Sequence, residues 1–517
     1  MTDPRKLNVL LEMRPALEGY AGIPQEVRLL FRGLDRIPGI EVAGLLQMSG
    51  RSLARGTSMV EKPGLFGRRL TPDERFKRYS NVVISTGKPL KEPARVRFVA
   101  YLRQRLTILN LILRQFVGAD RIALSRFKSA AFEDFTWRTL FAKTLPPADF
   151  QALAGRDHLI CRIPWRALHQ VGFGSLTYRR RARYPQLLTR GQDVMIGQTP
   201  YPGRVSPGTS LVIRYHDAIP LFMPHTIPDQ ALHQAQHYHA LKANVHSGAW
   251  FSCVSETTRA DLLRAFPDAE PRAVTIHNMV SHSYFTEEGG KPARIGDIIR
   301  SRLNDQSGWL PGFGSAADKT RFYSRHLPGK ETQPNYLLMV STIEPRKNHL
   351  RLISAWERLR SETDPTLKLV IVGTLGWANE DIRDQLAPWL ERGEAFLLHK
   401  VPSDDLRRLY AHAAATICPS YGEGFDYSGA EAMASGGVVV ASDIPVHREI
   451  YDDGALYFDP YSTAGLVAQL NRLLYSTEAQ DVRQRLAHAG RAVAGRYTPE
   501  NILPRWEAFL RRVADSD

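Results

Sequence analysis

Cysteine is scarce in this sequence: Cys161, Cys253 and Cys418 are the only three in 517 residues, and they lie far apart. That spacing fits neither a disulfide framework nor a CxxC metal site, and Cys253 and Cys418, set in apolar runs, read as reduced core residues. Membrane-length hydrophobic runs are missing as well. The most apolar one, LTILNLILRQFVG from Leu106, is broken by Asn110 and Arg114 and is shorter than the roughly 20 residues of a spanning helix. The start, MTDPRKLNVLLEM, has only a short apolar stretch before Glu12; it does not resemble a secretory signal, so the protein is expected in the cytoplasm. There is no GxGxxG fingerprint and no repeat of solenoid length. The only Asp-x-Asp, Asp515 to Asp517, sits at the chain end, so no metal is expected to be required. Acids are the minority: 53 Asp and Glu against 68 Lys and Arg leave a net charge of +15. Such a balance favours anionic partners in general, whether nucleic acid, acidic lipid headgroups or phosphorylated small molecules. No recognised nucleic-acid module accompanies it, so nucleic acid is not expected as a partner.

What is present is a recurrence of short apolar runs separated by helical segments. In the first half these are LNVLLE (7–12), DVMIGQ (193–198), SLVIRYH (210–216), WFSCVS (250–255) and AVTIH (273–277). The second half has YLLMVS (336–341), LKLVIVG (367–373), AFLLHK (395–400), ATICPS (415–420) and VVVAS (438–442). Continuous apolar runs without period-two alternation suit parallel strands covered on both faces. Two such series predict an α/β protein of two doubly wound domains. We place the first at 1–284 with a basic helical insertion at about 45–190, and the second at 334–500. A linker rich in Gly, Ser, Pro and charge is read at 285–333, and a C-terminal helix at 501–517, crossing back. Within the insertion, Lys88 to Lys128 holds ten Lys and Arg against Glu92 and Asp120. Phe98, Leu102, Leu106, Leu109, Leu113 and Phe116 recur there at helical spacing; the stripe is expected to be core of the enlarged domain, the alternative being a membrane-contacting face.

Four stretches could carry chemistry. YGEGFDYSGAEAMASGG (421–437) reads as strand, glycine-rich bend and helix start. Ser428 and Glu431 have capping-box spacing, which is a sufficient structural explanation. The other reading is that the bend and helix start offer N–H groups to an anion, with Glu431 accepting sugar hydroxyls and Glu423 nearer the reacting end. In YLLMVSTIEPRKNH, Arg346 and Lys347 occupy the turn after a strand, where doubly wound folds bind ligands, and would suit a diphosphate; alone, such a pair is more often a surface feature. RYHDAIP delivers His216 and Asp217 at a strand end, His216 being either a general base, a hydroxyl-orienting group or a satisfied structural histidine. LEGYAGIPQEV places Gly19 and Gly22 after the first strand, allowing close backbone approach to a ligand.

Taken in order, VSTIEPRKNH, LVIVGTLGW, CPSYGEGFDYSGAEAMASGG and ASDIPVHREI resemble the family 4 retaining glycosyltransferases of the GT-B fold. The likeness is strong across about 335–460, weaker over 7–35 and 210–280, and absent from 45–190. It implies two Rossmann-like domains facing across a cleft. It also implies that Glu431 binds the donor ribose, Glu423 contacts the donor sugar near its reacting carbon, and Lys347 contacts the diphosphate. Gly424 and Phe425 belong to the same motif and are expected at the donor. Where many members carry arginine this chain has Thr342; Arg346 is expected to take over, as in the TxEPRKN branch that includes many mannosyltransferases. His216 and Asp217 match acceptor-side cleft residues, with Gly22 on the same side. Asp426, Tyr427 and Ser428 replace a G-L-P run beside the donor sugar, so Asp426 gains a role in gripping a hydroxyl.

The expectation is therefore a metal-independent hexosyltransferase using a nucleotide sugar, GDP-mannose favoured, and a saccharide or lipid-linked saccharide acceptor in surface polysaccharide synthesis. The basic insertion would suit contact with anionic membrane at its inner face. The rivals are a glycoside hydrolase using Glu423 and Glu431, which leaves the two cations unexplained, and a catalytically silent binder of sugar nucleotides or nucleic acid.

Overall fold

The computed structural model describes residues 6–19, 22–59, 70–87, 93–287, 295–303, 313–327 and 334–516. The strand-forming runs build two separate sheets. The second-half sheet has six strands, all parallel, in the spatial order Ala395–Leu398, Lys368–Val372, Tyr336–Val340, Ala415–Cys418, Val439–Ser442, Ala455–Phe458. The larger sheet has nine strands. Its parallel part runs from Ala273–Thr275 through Trp250–Cys253, Ser210–Tyr215, Val194–Gly197, Leu7–Glu12 and Ile40–Leu46 to His158–Ile160.

Both sheets are covered on both faces, as the unbroken apolar runs require. Along Leu7–Glu12, Val9 and Leu11 join one core and Leu10 the opposite one. In Tyr336–Val340, Leu337 and Met339 pack on one side, Tyr336 and Leu338 on the other. The last helix, Pro499–Ala514, returns to the larger sheet, where Ile502, Trp506, Phe509 and Leu510 are buried with Val9 and Val194. All three cysteines are buried and unpaired.

Three expectations need correction. The segment 45–190 is not a purely helical insertion: Thr57–Ser58, Ser125–Phe127 and His158–Ile160 extend the larger sheet, the first two by antiparallel pairing. The stripe from Phe98 to Phe116 is not core. It lies on the helix Ala94–Phe116, and all six of its residues are exposed, Phe98 at 61% and Leu106 at 64%. The helix buries a different face through Ile108 and Leu111, so periodicity identified an apolar face without revealing what it meets. Finally, the presumed linker at 285–333 is in part folded. Residues 288–294, 304–312 and 328–333 lie outside the described residues, but Ile295–Arg302 and Ala316–His326 are helices. Ile295, Ile298 and Ile299, at i, i+3 and i+4, bury against the six-stranded sheet. The surrounding glycines and charges had hidden that short periodicity.

The two halves touch at defined points. Glu449 accepts the backbone N–H groups of Glu256 (2.6 Å) and Thr257 (2.9 Å) at the start of the helix Glu256–Ala265, and meets His277 Nε2 at 2.9 Å. Trp377 Nε1 donates to the Thr226 carbonyl at 2.9 Å.

Candidate functional site

The strand order of the six-stranded sheet reverses between Tyr336–Val340 and Ala415–Cys418. At such a switch point the loops leaving the two strands diverge and open a crevice beyond their carboxyl ends. One of these loops carries Arg346 and Lys347, the other Glu423. Asn348 locks the first loop: it takes a left-handed backbone (φ 60°), and its side-chain amide donates to the Pro419 and Pro460 carbonyls at 3.0 Å each. The Tyr421 N–H donates to the Arg346 carbonyl at 3.0 Å, tying the loops together.

Lys347 Nζ lies 2.5 Å and Arg346 Nη1 2.8 Å from the two carboxylate oxygens of Glu423. Arg346 also pairs with Glu344 at 2.8 Å and donates to the Gly422 carbonyl at 2.5 Å. Burial works to raise the pKa of Glu423, but Arg346 and then Lys347 outweigh it, so the carboxylate is held below its usual range. For Glu344 burial prevails over Arg346 and Lys347, and its pKa is raised. These groups form a compact, mostly buried cluster of two cations and two carboxylates.

The opposite wall comes from the first half. A Cβ on Gly424 would fall 1.8 Å from the His216 carbonyl oxygen and 3.4 Å from the Asp217 Cβ, so the bend lies directly on the His-Asp strand end, and only glycine fits. Asp217 caps its own turn by accepting the Ile219 N–H at 3.0 Å. Its pKa is raised by burial, with Arg346 opposing and Glu423 adding to the rise, which puts it in the field of the same cluster. His216 Nε2 is 3.3 Å from Gln198 Oε1. Burial, then the neighbouring Arg214, hold the imidazole well below its ordinary pKa, so it is neutral near pH 7. The fully buried Arg214 is itself fixed by Glu26 (3.0 Å), Ser252 and Asn278.

Glu431 is brought to the same boundary but by another route. The expected Ser428–Glu431 capping box does not form. Asp426 caps the helix Tyr427–Ala434 instead, accepting the Ser428 N–H at 3.2 Å and hydroxyl at 2.6 Å, while its other oxygen meets His447 Nε2 at 3.2 Å. Freed from capping, Glu431 accepts Gln25 Nε2 at 2.7 Å and the Tyr410 hydroxyl at 3.2 Å. Burial raises its pKa to about 7 against those hydrogen bonds. Gln25 stands in the first turn of Ile23–Asp35, behind Gly22, whose φ of 69° explains the glycine there. Arg28, fully buried, anchors that loop by donating to the Ala16 (2.8 Å) and Gly19 (2.7 Å) carbonyls.

Some expected residues take other duties. With both carboxylate oxygens engaged in the cap and with His447, Asp426 is a brace for the bend, not a free hydroxyl grip. Ser428 is buried behind it, near Cys418. The helix start is accordingly already served by a carboxylate. Phe425 is 3% exposed, its ring 5.2 Å from Tyr497 and 5.3 Å from Tyr427, so its side chain supports the bend from below. Thr342 lies at its strand end against Gly376, where an added Cβ would come within 3.0 Å of its methyl. Glu423 is thus paired with the cations Arg346 and Lys347, whereas Glu431 meets the neutral Gln25 and Tyr410. Gln25, Gln198 and His447 were not singled out from sequence. Gln25 is one polar residue in an amphipathic helix and carries no motif; only its place beside a glycine loop hints at it.

Comparison with known proteins bears on the same segment. Residues 324–493 match the family described as Glycosyl transferases group 1. The O-antigen chain mannosyltransferase B of Escherichia coli is 26% identical over 262 residues, 51% of this chain and 60% of that protein. The O-antigen chain mannosyltransferase RfbU of Salmonella typhimurium is 35% identical over 168 residues, 32% of this chain and 44% of that protein. The chain thus spans less than two thirds of the length of either relative. Among solved structures, sucrose-phosphate synthase from Thermosynechococcus elongatus is similar over 99% of this chain and 100% of that one, with a TM-score of 0.53 and 14% identity. That likeness is one of fold, and the fold is GT-B.

Proposed function

We propose that the protein is a retaining hexosyltransferase that moves a hexose, mannose favoured, from a nucleotide sugar to a saccharide or lipid-linked saccharide acceptor of surface polysaccharide synthesis. The observation that carries this reading is the convergence of Arg346, Lys347 and Glu423 at a strand-order switch point, directly against His216 and Asp217 of the other half. Mannose as the favoured sugar is supported by the O-antigen mannosyltransferases among the relatives.

In this scheme the diphosphate enters the crevice and shares Arg346 and Lys347 with Glu423. As the bond from the sugar to the diphosphate breaks, negative charge grows on the phosphate oxygens, and the two fixed cations stabilise it where it develops. Losing one such group raises a barrier by about 2.7–4 kcal/mol. Glu423, held ionised by the same cations, faces the electron-poor sugar carbon. Glu431 accepts the ribose hydroxyls in place of Gln25. His216, neutral and fixed through Gln198, positions the acceptor hydroxyl; the departing phosphate takes its proton on the same face, which gives retention. No metal enters the scheme, and GDP-mannose is the favoured donor.

The test is to incubate the purified chain with a panel of nucleotide sugars and saccharide acceptors, in the presence and absence of EDTA. The expected outcome is release of free nucleoside diphosphate with one donor, unaffected by chelation, and a product whose anomeric configuration by NMR matches the donor's. Donor binding without release would favour a silent sugar-nucleotide binder. An inverted product would overturn the retaining mechanism.

A further inference from the structure

The helix Ala94–Phe116 has two apolar faces, and only one is used within the fold. Ile108 and Leu111 are buried facing the helix Trp165–Ser175, and Ile112 sits so close to Gly174 that an added Cβ there would lie 2.5 Å from its Cδ1. The opposite face carries Phe98, Leu102, Leu106, Leu109, Leu113 and Phe116, all exposed. From Phe98 to Phe116 this stripe is about 27 Å long at 1.5 Å per residue. A continuous exposed apolar surface of that extent marks an interaction site.

The charges around it indicate what it meets. Between residues 94 and 116 there is no Asp or Glu, but there are arginines at 95, 97, 103, 105 and 114. At 100° per residue, Arg103 and Arg114 border the stripe on one side and Arg105 on the other. Phe116 stacks on Tyr178 with ring centroids 4.4 Å apart, which brings the exposed Arg179, Arg180 and Arg181 to the same end of the helix.

We infer that this face docks the protein on an anionic lipid bilayer. The phenylalanines and leucines enter the boundary between headgroups and acyl chains, while the arginines reach the lipid phosphates along both edges. No helix among the described residues is long and apolar enough to cross a membrane, so this helix lies in the surface plane. A second copy of the chain is the rival occupant. It would bring a second row of arginines to a helix with no acid to pair with them, whereas an anionic bilayer supplies the missing charge. The inference concerns a surface remote in sequence from the Arg346–Glu423 cluster and stands whatever that cluster catalyses.

The experiment is flotation of the full chain with vesicles of phosphatidylcholine alone and of phosphatidylcholine mixed equally with phosphatidylglycerol. The expected result is binding to the mixed vesicles only, weakened by added salt. R103Q/R105Q/R114Q should lower that affinity roughly a hundredfold, and L106S/L113S should abolish flotation. All five side chains are exposed, so both variants should keep the wild-type melting profile, which is checked in parallel. Equal binding to neutral vesicles, or none to either, would overturn the inference. So would a wild-type dimer by light scattering that L106S/L113S converts to monomer.

Discussion

The segment 336–458 and the segment 45–190 come from the same chain and obey the same packing rules, yet one is transparent to sequence reasoning and the other opaque. In the first, the turns after Tyr336–Val340 and Ala415–Cys418 hold residues with definite jobs: Asn348 takes a left-handed backbone, Gly424 makes room for the His216 carbonyl, Arg346 and Lys347 meet Glu423. In the second, the helix Ala94–Phe116 is apolar on two sides, and nothing in a periodic pattern says which side faces inward. The contrast teaches that a residue is readable where a strand-to-helix turn marks its place beside a crevice, even when its partner is distant in sequence. Reading fails where an apolar face carries no such mark and the packing partner alone decides its role.

The contrast can be broken by substitutions that separate activity from stability. The largest effect is expected from Lys347→Ala, which removes one cation from the cluster: kcat for nucleoside diphosphate release should fall about 10²–10³-fold, with the fold intact by circular dichroism. Turnover within a few-fold of wild type would remove the lysine from the mechanism. Gly424→Ala comes next. Its methyl would collide with the His216 carbonyl, and a displacement of about 1 Å at the bend should lower turnover roughly a hundredfold, together with a melting shift equivalent to about 1–3 kcal/mol. Unchanged kinetics would mean that the bend does not rest on the first half.

Glu431 gives a prediction with a pH signature. Its pKa is raised from 4.5 to about 7 by burial, so the folded chain keeps a proton that the unfolded chain releases. The stability linked to this group is complete below pH ~4.5 and is lost as pH rises toward ~7. Glu431→Gln does not titrate. Relative to wild type it should therefore gain stability between pH ~4.5 and ~8, by on the order of 3 kcal/mol. Denaturant melts at the two pH values measure this, and a difference independent of pH would contradict it. The smallest effect belongs to the opaque segment. Leu113→Ser on the exposed face should change stability by less than about 0.5 kcal/mol, whereas Ile108→Ala on the buried face of the same helix should cost about 2–5 kcal/mol. Equal losses would mean that both faces are packed.

The fold was legible because ten apolar runs lie on ten strands of the two sheets. Ile40–Leu46, which pairs directly with the first strand, was missed: its burial alternates toward one end, and Glu41 and Gly44 break the run. Much of the candidate site was legible from strand-to-helix turns, including Arg346, Lys347, Glu423, His216 and Asp217. The roles of Asp426 and Phe425 were not, because a cap partner and a buried ring are set by three-dimensional neighbours: His447 lies 21 residues from Asp426, and Tyr497 packs on Phe425 from the turn between the last two helices. Gln25 and Glu431 are 406 residues apart, and no spacing rule connects them.

Glu449 has a mechanical consequence. The helix Glu256–Ala265 obtains one stabilising acceptor from its own Ser255, but the amides of Glu256 and Thr257 rely on a carboxylate lent by the opposite half. Any swing that parts the halves at this corner frays the helix, whereas a swing that keeps this corner fixed as its pivot leaves the helix whole. Hydrogen exchange at those two amides is therefore a gauge of how the molecule breathes: protection that persists through a catalytic cycle would identify this corner as the hinge.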